Sequence, residues 1–483
     1  MPLLDGPLPD DLHKVHILGI CGTAMGSLAG MLKDAGYDVT GSDTGCYPPM
    51  SDYLADLGIA IKQGWKAENL DHDPDLVVVG NVMRAEYAES KATVDRDLLY
   101  CSLPQLLGAL YLDKAHSTVI AGTHGKTTTT SITAWLLEAG GLEPGFLIGG
   151  RVANFDRTAR AGKGTHFVIE GDEYDTAFFD KRPKFLHYRP NTVVLTSVEF
   201  DHADIYRDIE HVTESFRALM GIVPEDGLVI VRGDDRIARG VAQEAGCEVQ
   251  TYGPGHAWDG RIDSVDTERG VMTFTVLRGG VPVGTFESML VGEHNLYNQV
   301  AAAAAAIRAG VTVPQLAEGF RTFKGIKRRQ EIIGEPGGVT VLDDFAHHPT
   351  AVKVTLEALR RRFGPRRLWA IWEPRSATSR RAIFQDAYAE AFDEADQVII
   401  AAPYDQSRID EADRFSSEQL VQDLTARGVD AMTLPDAPSI AGALSAGVHP
   451  HDVVAILSNG GFDGLHQRLL VLLRERFGDE RTG

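Results

Sequence analysis

Short β-branched and aliphatic runs alternate along the chain with longer stretches whose apolar positions return every three or four residues. That alternation predicts buried parallel strands covered by helices. Residues 15–20 (VHILGI), 39–40 (VT) and 76–80 (LVVVG) predict a first strand series, with a helix reaching Leu32 after a Gly-punctuated turn. A second series runs through 117–121 (STVIA), 166–170 (HFVIE), 192–196 (TVVLT) and 228–231 (LVIV). A third contains 339–343 (VTVLD), 368–372 (LWAIW), 397–401 (QVIIA) and 453–457 (VVAIL). Residues 253–292, rich in Gly, Val and Thr with a turn at 278–280 (RGG), predict a small antiparallel addition to the middle series.

The length, 483 residues, allows about three domains at ~150 residues each, in line with the three series. The breaks fall near Asp113 and Lys327, giving expected units of 1–113, 114–327 and 328–483. With 43% apolar and 24% charged residues the chain is of ordinary globular type. Its net charge of −21 argues against nucleic acid as a partner, so any anion must be held by loops, helix N-termini and single cations. No stretch approaches the ~20 apolar residues of a membrane helix; residues 300–307, largely Ala, predict a buried helix instead. Residues 1–14 have neither a basic start nor an apolar centre, and no signal peptide is expected. Cys21, Cys46, Cys101 and Cys247 form no Cys-x-x-Cys pair. The expectation is reduced thiols in a cytoplasmic protein, without a disulfide framework or zinc site.

Residues 121–128 (AGTHGKTT) lie between a predicted strand and the helix expected over 129–137. This is the setting of a phosphate loop. Gly122 and Gly125 let backbone N–H groups approach an anion, Lys126 reaches terminal phosphates, and Thr127 presents a hydroxyl to Mg²⁺. The general pattern asks for a further Gly at position 120, where the chain has Ile. Segments 170–175 (EGDEYD) and 199–202 (EFDH) follow two strands of the same series, where ligand groups of open α/β sheets gather. Glu170 and His202 are the candidate metal ligands among them. In the first unit, 19–26 (GICGTAMG) resembles a dinucleotide fingerprint but has Cys21 and Ala24 where Gly is required, with Asp43 at about the position of a ribose-binding acid. A diphosphate ligand other than NAD fits this loop better. The expected fold class is therefore α/β in three domains. These are a Rossmann-like N-terminal domain, a central P-loop ATPase-like domain carrying the antiparallel addition, and a Rossmann-like C-terminal domain.

Four segments in order resemble the motifs of the Mur ligase family of ATP-dependent amide-forming enzymes: 122–127 (GTHGKT), 292–302 (GEHNLYNQVAA), 323–329 (FKGIKRR) and 343–349 (DDFAHHP). The family's compact phosphate loop accounts for Ile at position 120. Two branches of that family begin with a UDP-N-acetylmuramate-binding domain. One adds L-alanine; the other attaches a recovered tripeptide during cell-wall recycling. Segments 19–25, 41–43, 47–51, 373–376 (EPRS) and 458–462 (SNGGF) resemble the second. Two departures stand out. Residues 84–87 (RAEY) replace an expected Arg-Gly-Asn-Pro, and Arg217 stands where other branches carry a carbamylated lysine, so no modified lysine is expected.

The resemblance implies a ligase joining UDP-N-acetylmuramate to L-alanyl-γ-D-glutamyl-meso-diaminopimelate through an acyl phosphate, with ATP and Mg²⁺ as cofactors. It implies small-molecule substrates and no obligate protein partner. It assigns Lys126, Glu170, His202 and His347 to the chemistry, with Thr127, Glu170 and His202 on metal. Gly122, Thr123, His124, Gly125, Lys126, Thr127, Thr128, Asn295, Asn298, Arg329 and Asp344 are assigned to ATP. Gly19, Gly22, Thr23, Met25, Ser42 and Asp43 are expected on the sugar nucleotide, and Arg375, Ser376, Asn459 and Gly460 on the peptide. With ATP groups split between the second and third units, closure of the units is expected to assemble the site. The alternatives are the alanine-adding ligase and, less in keeping with intact Lys126, Glu170 and His202, a sugar-nucleotide sensor without turnover.

Overall fold

The computed structural model describes residues 8–47, 50–203 and 205–478. Residues 1–7 of the segment read as lacking a signal peptide, and residues 48–49 of the 47–51 segment, lie outside the described residues. Three large sheets carry the described residues, beside a two-stranded ribbon of Asp175–Ala177 and Asp180–Pro183. The first is all parallel, with strands Ile61–Gln63, Asp38–Asp43, Lys14–Leu18, Leu76–Val79 and Tyr100–Ser102 side by side. Helix Thr23–Asp34, capped by Gly22, buries Met25, Leu28, Met31 and Leu32 against it.

The second sheet has ten strands. Its parallel heart is Glu248–Tyr252, Leu228–Arg232, Thr192–Leu195, His116–Ala121 and His166–Gly171. Apart from Glu248–Tyr252, which is polar and half-exposed, these strands are largely aliphatic on both faces because helices cover both. Strands Trp258–Asp266, Val271–Arg278 and Val281–Ser288 extend one edge as an antiparallel meander turning at Gly279 and Gly280 (φ +57° and +78°). That is the predicted addition, joined to the heart by a parallel pairing at Tyr252 and Trp258. Helix Lys126–Ala139 starts earlier than the pattern indicated. Its buried Thr130, Ser131 and Thr133 hydroxyls donate to carbonyls one turn back, which satisfies a polar run inside the core. The alanine-rich stretch lies in helix Glu293–Arg308, with residues 295–306 buried.

The third sheet orders its strands as Glu331–Gly334, Thr340–Asp344, Val453–Leu457, Leu368–Trp372, Gln397–Ala401 and Asp430–Leu434, parallel except at the first edge. The connections reverse between Leu368–Trp372 and Val453–Leu457, the kind of position where ligands bind such sheets. No helix among the described residues is long and apolar enough to cross a membrane.

One sequence expectation fails in the first unit. Cys21 and Cys46 are joined in a disulfide, with Cα atoms 5.3 Å apart, whereas Cys101 and Cys247 are free. A separation of 25 positions along the chain hides their proximity. Lys14–Leu18 pairs in parallel with Asp38–Asp43, so the loops leaving both strands emerge side by side. Asp43 Oδ2 accepts from Cys21 N–H at 3.0 Å across the same gap.

Candidate active site

A cleft of about 1950 Å³ opens where the three units meet, with the phosphate loop on its floor. Gly122 (φ +127°) and Gly125 (φ +80°) take backbone conformations that L side chains rarely adopt. A Cβ at Gly122 would sit 2.3 Å from Thr196 Oγ1, and one at Gly125 would sit 2.6 Å from Asn298 Oδ1. The loop can therefore close only with glycine at both positions. Gly125 then caps helix Lys126–Ala139, leaving the N-terminal amides toward the cleft.

Thr127 Oγ1 donates to Glu170 Oε1 at 2.8 Å, and Gly149 N–H donates to Glu170 Oε2 at 2.7 Å. Burial, reinforced by Asp172, pushes the Glu170 carboxyl above its ordinary range. Lys126 Nζ turns to a residue the sequence reading quoted but did not single out: it lies 3.0 Å from Glu173 Oε2. Burial works against both charges, yet Lys126 holds Glu173 down to about 2, and Glu173 with Asp172 and Glu170 keeps Lys126 above its ordinary value. His202 belongs to this group as well. Its Nε2 lies 3.1 Å from Glu173 Oε1 and its Nδ1 bonds the Tyr174 hydroxyl at 2.9 Å. Against the effect of burial, Glu173 and Asp201 raise its pKa. His202 adopts φ +55°, a strained backbone for a non-glycine residue and the kind found where a side chain must be aimed. The structure thus sets Glu170 with Thr127, and His202 with Glu173.

The third unit reaches the same floor. Arg329 lies between two left-handed residues, Arg328 (φ +60°) and Gln330 (φ +49°), and its Nη2 donates to Thr127 Oγ1 at 3.2 Å while its guanidinium lies over Phe345. Asp344 accepts from Gln330 N–H at 2.7 Å and Ala346 N–H at 2.8 Å, so its carboxylate braces the loop that carries Arg329. His347 Nδ1 faces Phe345 O at 3.0 Å; its Nε2 is 3.8 Å from Asp201, and burial lowers its pKa. Asp201 also accepts from Thr378 Oγ1 at 2.7 Å, a second bond between the central and third units. Neither Asp201 nor Thr378 had a sequence signal beyond the first one's place beside His202.

Asn295 and Asn298 line the cleft from helix Glu293–Arg308, and Asn298 Oδ1 accepts from Thr129 Oγ1 at 3.2 Å. Beside them Arg232 lies over the Tyr297 ring at 4.2 Å, a pair the sequence did not announce. Of the sugar-nucleotide candidates, Thr23 lines the cleft. Asp43 accepts from the amides of Cys21, Thr44 and Gly45, so it shapes the loop, and Ser42 Oγ is buried without a hydrogen-bond partner among the described residues. Arg84, from the divergent segment, pairs loosely with Glu86 in solvent, and Arg217 pairs with Glu210 and Glu244 on the surface.

Arg375 and Gly460 sit at the reversal point of the third sheet. The Arg375 guanidinium donates to Glu373 Oε1 at 3.2 Å and lies 4.0 Å from the Tyr404 ring centre. It passes so close to Gly460 that a Cβ there would meet its Nε at 2.2 Å. Glu373 is fixed in turn by the Ser458 hydroxyl. Ser376 and Asn459 line the cleft nearby, and Asn459 Oδ1 is buried without a hydrogen-bond partner among the described residues.

Three family models match the chain in succession: the Mur ligase family catalytic domain over 14–114, the Mur ligase middle domain over 120–306, and the Mur ligase glutamate ligase domain over 328–460. The UDP-N-acetylmuramate–L-alanyl-γ-D-glutamyl-meso-2,6-diaminoheptandioate ligase of Escherichia coli is 40% identical over 459 residues, 95% of this chain and 97% of that protein. The UDP-N-acetylmuramate–L-alanine ligase of Salinibacter ruber is 34% identical over 450 residues, covering 93% of this chain and 92% of that protein. A crystal structure of a murein peptide ligase from Psychrobacter arcticus superimposes with a TM-score of 0.68 at 35% identity, covering 98% of this chain and all of the other. With a phosphate loop, its acidic strand ends and an arginine from the third unit in one cleft, and with this likeness from end to end, the chain belongs to the Mur ligase family.

Proposed function

We infer that this protein is an ATP-dependent ligase that joins the carboxylate of UDP-N-acetylmuramate to the amine of L-alanyl-γ-D-glutamyl-meso-diaminopimelate. The observation that carries the chemistry is the meeting of Lys126, Thr127 and Glu170 with Arg329 of the third unit on one cleft floor. A carboxylate acylates poorly because oxide is a poor leaving group. Transfer of the ATP γ-phosphoryl group to it gives an acyl phosphate, which the peptide amine attacks with loss of phosphate. The protein's part is to position the reactants and offset charge.

In this reading Lys126 leaves Glu173 for the moving phosphoryl group, and the amides at the start of its helix hold the β-phosphate. Arg329 adds a second cation from the third unit. Asn295, Asn298 and the Arg232–Tyr297 pair form the nucleoside end, and Asp344 sets the loop that presents Arg329. The Thr127 hydroxyl and the Glu170 carboxylate are hard oxygen donors at hydrogen-bonding separation, a set that fits Mg²⁺. They would hold one ion; Glu170 with His202 would hold a second once His202 Nε2 turns from Glu173 Oε1, 3.1 Å away in this structure. When bound, Mg²⁺ supplies charge neutralisation between the phosphates and the sugar carboxylate. His347 is proposed to lie near the reacting groups; its Nε2 is 3.8 Å from Asp201, and burial lowers its pKa.

Arg375 is proposed to grip a carboxylate of the tripeptide, since a guanidinium can do so with two parallel bonds. Tyr404 and Glu373 hold it ready, and Gly460 leaves it room. The alanine-adding reading has the support of the Salinibacter ruber relative. An acceptor comparison separates the two. The enzyme receives ATP, Mg²⁺ and UDP-N-acetylmuramate with either the tripeptide or L-alanine, and phosphate release and product mass are recorded. A tripeptide adduct with little alanine product is expected; the reverse result moves the protein to the biosynthetic branch.

A further inference from the structure

Beside the phosphate loop lies a group of side chains that the proposed reaction does not use together. His124 comes from the loop itself, Glu199 from the segment after strand Thr192–Leu195, and His348 from the N-cap of helix Pro349–Phe363 in the third unit. One potential ligand atom from each lies within 4.8 Å of the others. His124 Nε2 is 3.5 Å from Glu199 Oε2, and His348 Nδ1 is 3.8 Å from the same oxygen. The two imidazole rings are 4.7 Å apart.

Their bonding is incomplete. The Nε2 atoms of His124 and His348 are buried and lack a hydrogen-bond partner among the described residues. His348 as a whole is only 3% exposed, and its Nδ1 is held only by a 3.3 Å contact from Thr350 N–H. Unpaired polar atoms at such depth are costly in an ordinary core and call for an explanation.

We propose that His124, Glu199 and His348 form a binding site for a transition ion of the zinc class, tying the phosphate loop to the third unit. Two imidazoles and one carboxylate are a zinc donor set with one position left for water or an anion, whereas Mg²⁺ prefers oxygen alone. Bonds of about 2.0–2.1 Å place tetrahedral ligands roughly 3.3 Å apart, so an ion would draw His124 Nε2 and His348 Nδ1 in from 3.5 and 3.8 Å of Glu199 Oε2 and from within 4.8 Å of each other, with His348 Nδ1 giving up the Thr350 N–H. Thr350 Oγ1, donating to Glu199 Oε2 at 2.8 Å, orients the carboxylate as the outer partners of metal ligands do. The site is distinct from the Thr127, Glu170 and His202 positions proposed for Mg²⁺. Because its ligands come from two units, an ion here holds the cleft in its assembled form and slows reopening.

The test uses the full chain, purified and stripped of metal, titrated with Co²⁺ or Zn²⁺ in excess Mg²⁺. The expected result is one tightly held equivalent with a visible Co²⁺ ligand-field band. Weakening by roughly tenfold or more is expected in both His348→Ala and Glu199→Gln, with His202→Ala leaving the affinity unchanged. X-ray absorption of the Zn²⁺-loaded wild-type chain should show two imidazoles in the first shell. That measurement decides the matter even where a variant does not fold. Failure of the wild type to bind, a single imidazole, undiminished binding by His348→Ala or Glu199→Gln, or loss of binding in His202→Ala would each overturn the proposal. None of these readouts depends on which amide the enzyme makes.

Discussion

Lys126 Nζ and Glu173 Oε2 are 3.0 Å apart and both side chains are almost fully buried, so the lysine of the phosphate loop is tied to the segment that follows the neighbouring strand His166–Gly171. A triphosphate arriving at the loop competes with that carboxylate for the same ammonium. The pair also carries stability. Removing one partner of a buried ion pair leaves the other charge uncompensated, at a cost of about 3 kcal/mol or more. Glu173→Ala is expected to lose that much in urea unfolding monitored by circular dichroism, and an unchanged midpoint would show the pair to be idle.

The same carboxylate sets a pH dependence. Its pKa falls on folding from an ordinary 4.5 to about 2. A lowered folded-state pKa contributes stability that is present above 4.5 and lost as pH falls through about 2. The size is on the order of 3 kcal/mol. Unfolding of the wild type at a series of pH values should show the loss across that window, and Glu173→Gln should make it shallower, with Glu199, Asp180 and Asp201, also held below the ordinary range, supplying the remainder.

In the proposed reaction Lys126→Ala is expected to lower kcat by about a thousandfold, since it removes the charge proposed to meet the transferring phosphoryl group. Sugar-nucleotide binding, followed by calorimetry, should persist. Equal losses of turnover and of sugar-nucleotide affinity would move Lys126 from chemistry to architecture.

For Arg375→Ala the expected change is confined to the acceptor: KM for the tripeptide rises by about tenfold or more as a bidentate charge-assisted contact is lost. The KM values for ATP and UDP-N-acetylmuramate stay within about twofold. A rise in all three would indicate that Arg375 supports the sheet's reversal point instead of the peptide.

Alkylation of the denatured chain without reductant should label two of its four cysteines, Cys101 and Cys247. Closing a loop of this length contributes about 3 kcal/mol in the chain-entropy account. Reduction is therefore expected to lower the melting temperature of the first unit, and four labelled thiols in the untreated protein would count against the bridge.

The sheets were legible because their strands are continuous aliphatic runs, such as 117–121 and 368–372, and burial on both faces leaves no other use for such runs. The phosphate loop was legible because Gly122, Gly125, Lys126 and Thr127 are adjacent in sequence, so spacing alone reports their geometry. What escaped notice was assembled across distance. Glu173 lies three residues beyond the acid that was singled out, and its importance arises from a lysine 47 positions away. Thr378 meets Asp201 across 177 positions, and Cys21 meets Cys46 only because two parallel strands lie side by side. Asp43 was read as a sugar-nucleotide contact, and nothing in the chain's spacing indicates that backbone amides claim its oxygens at the end of strand Asp38–Asp43.

The alanine-rich helix Glu293–Arg308 has a consequence for which substitutions the protein can survive. Its buried small side chains face the core shared with the phosphate-loop helix, and Asn298 of the same helix touches Thr129 and crowds Gly125. Enlarging an alanine in residues 301–306 would push that helix outward and carry the displacement to the phosphate loop. In a library of all single replacements, this stretch should accept serine or glycine more readily than leucine, although leucine is the more hydrophobic. Methyl-sized side chains here act as a spacer, and the tolerance of the enzyme to drift is narrowest at some of its plainest residues.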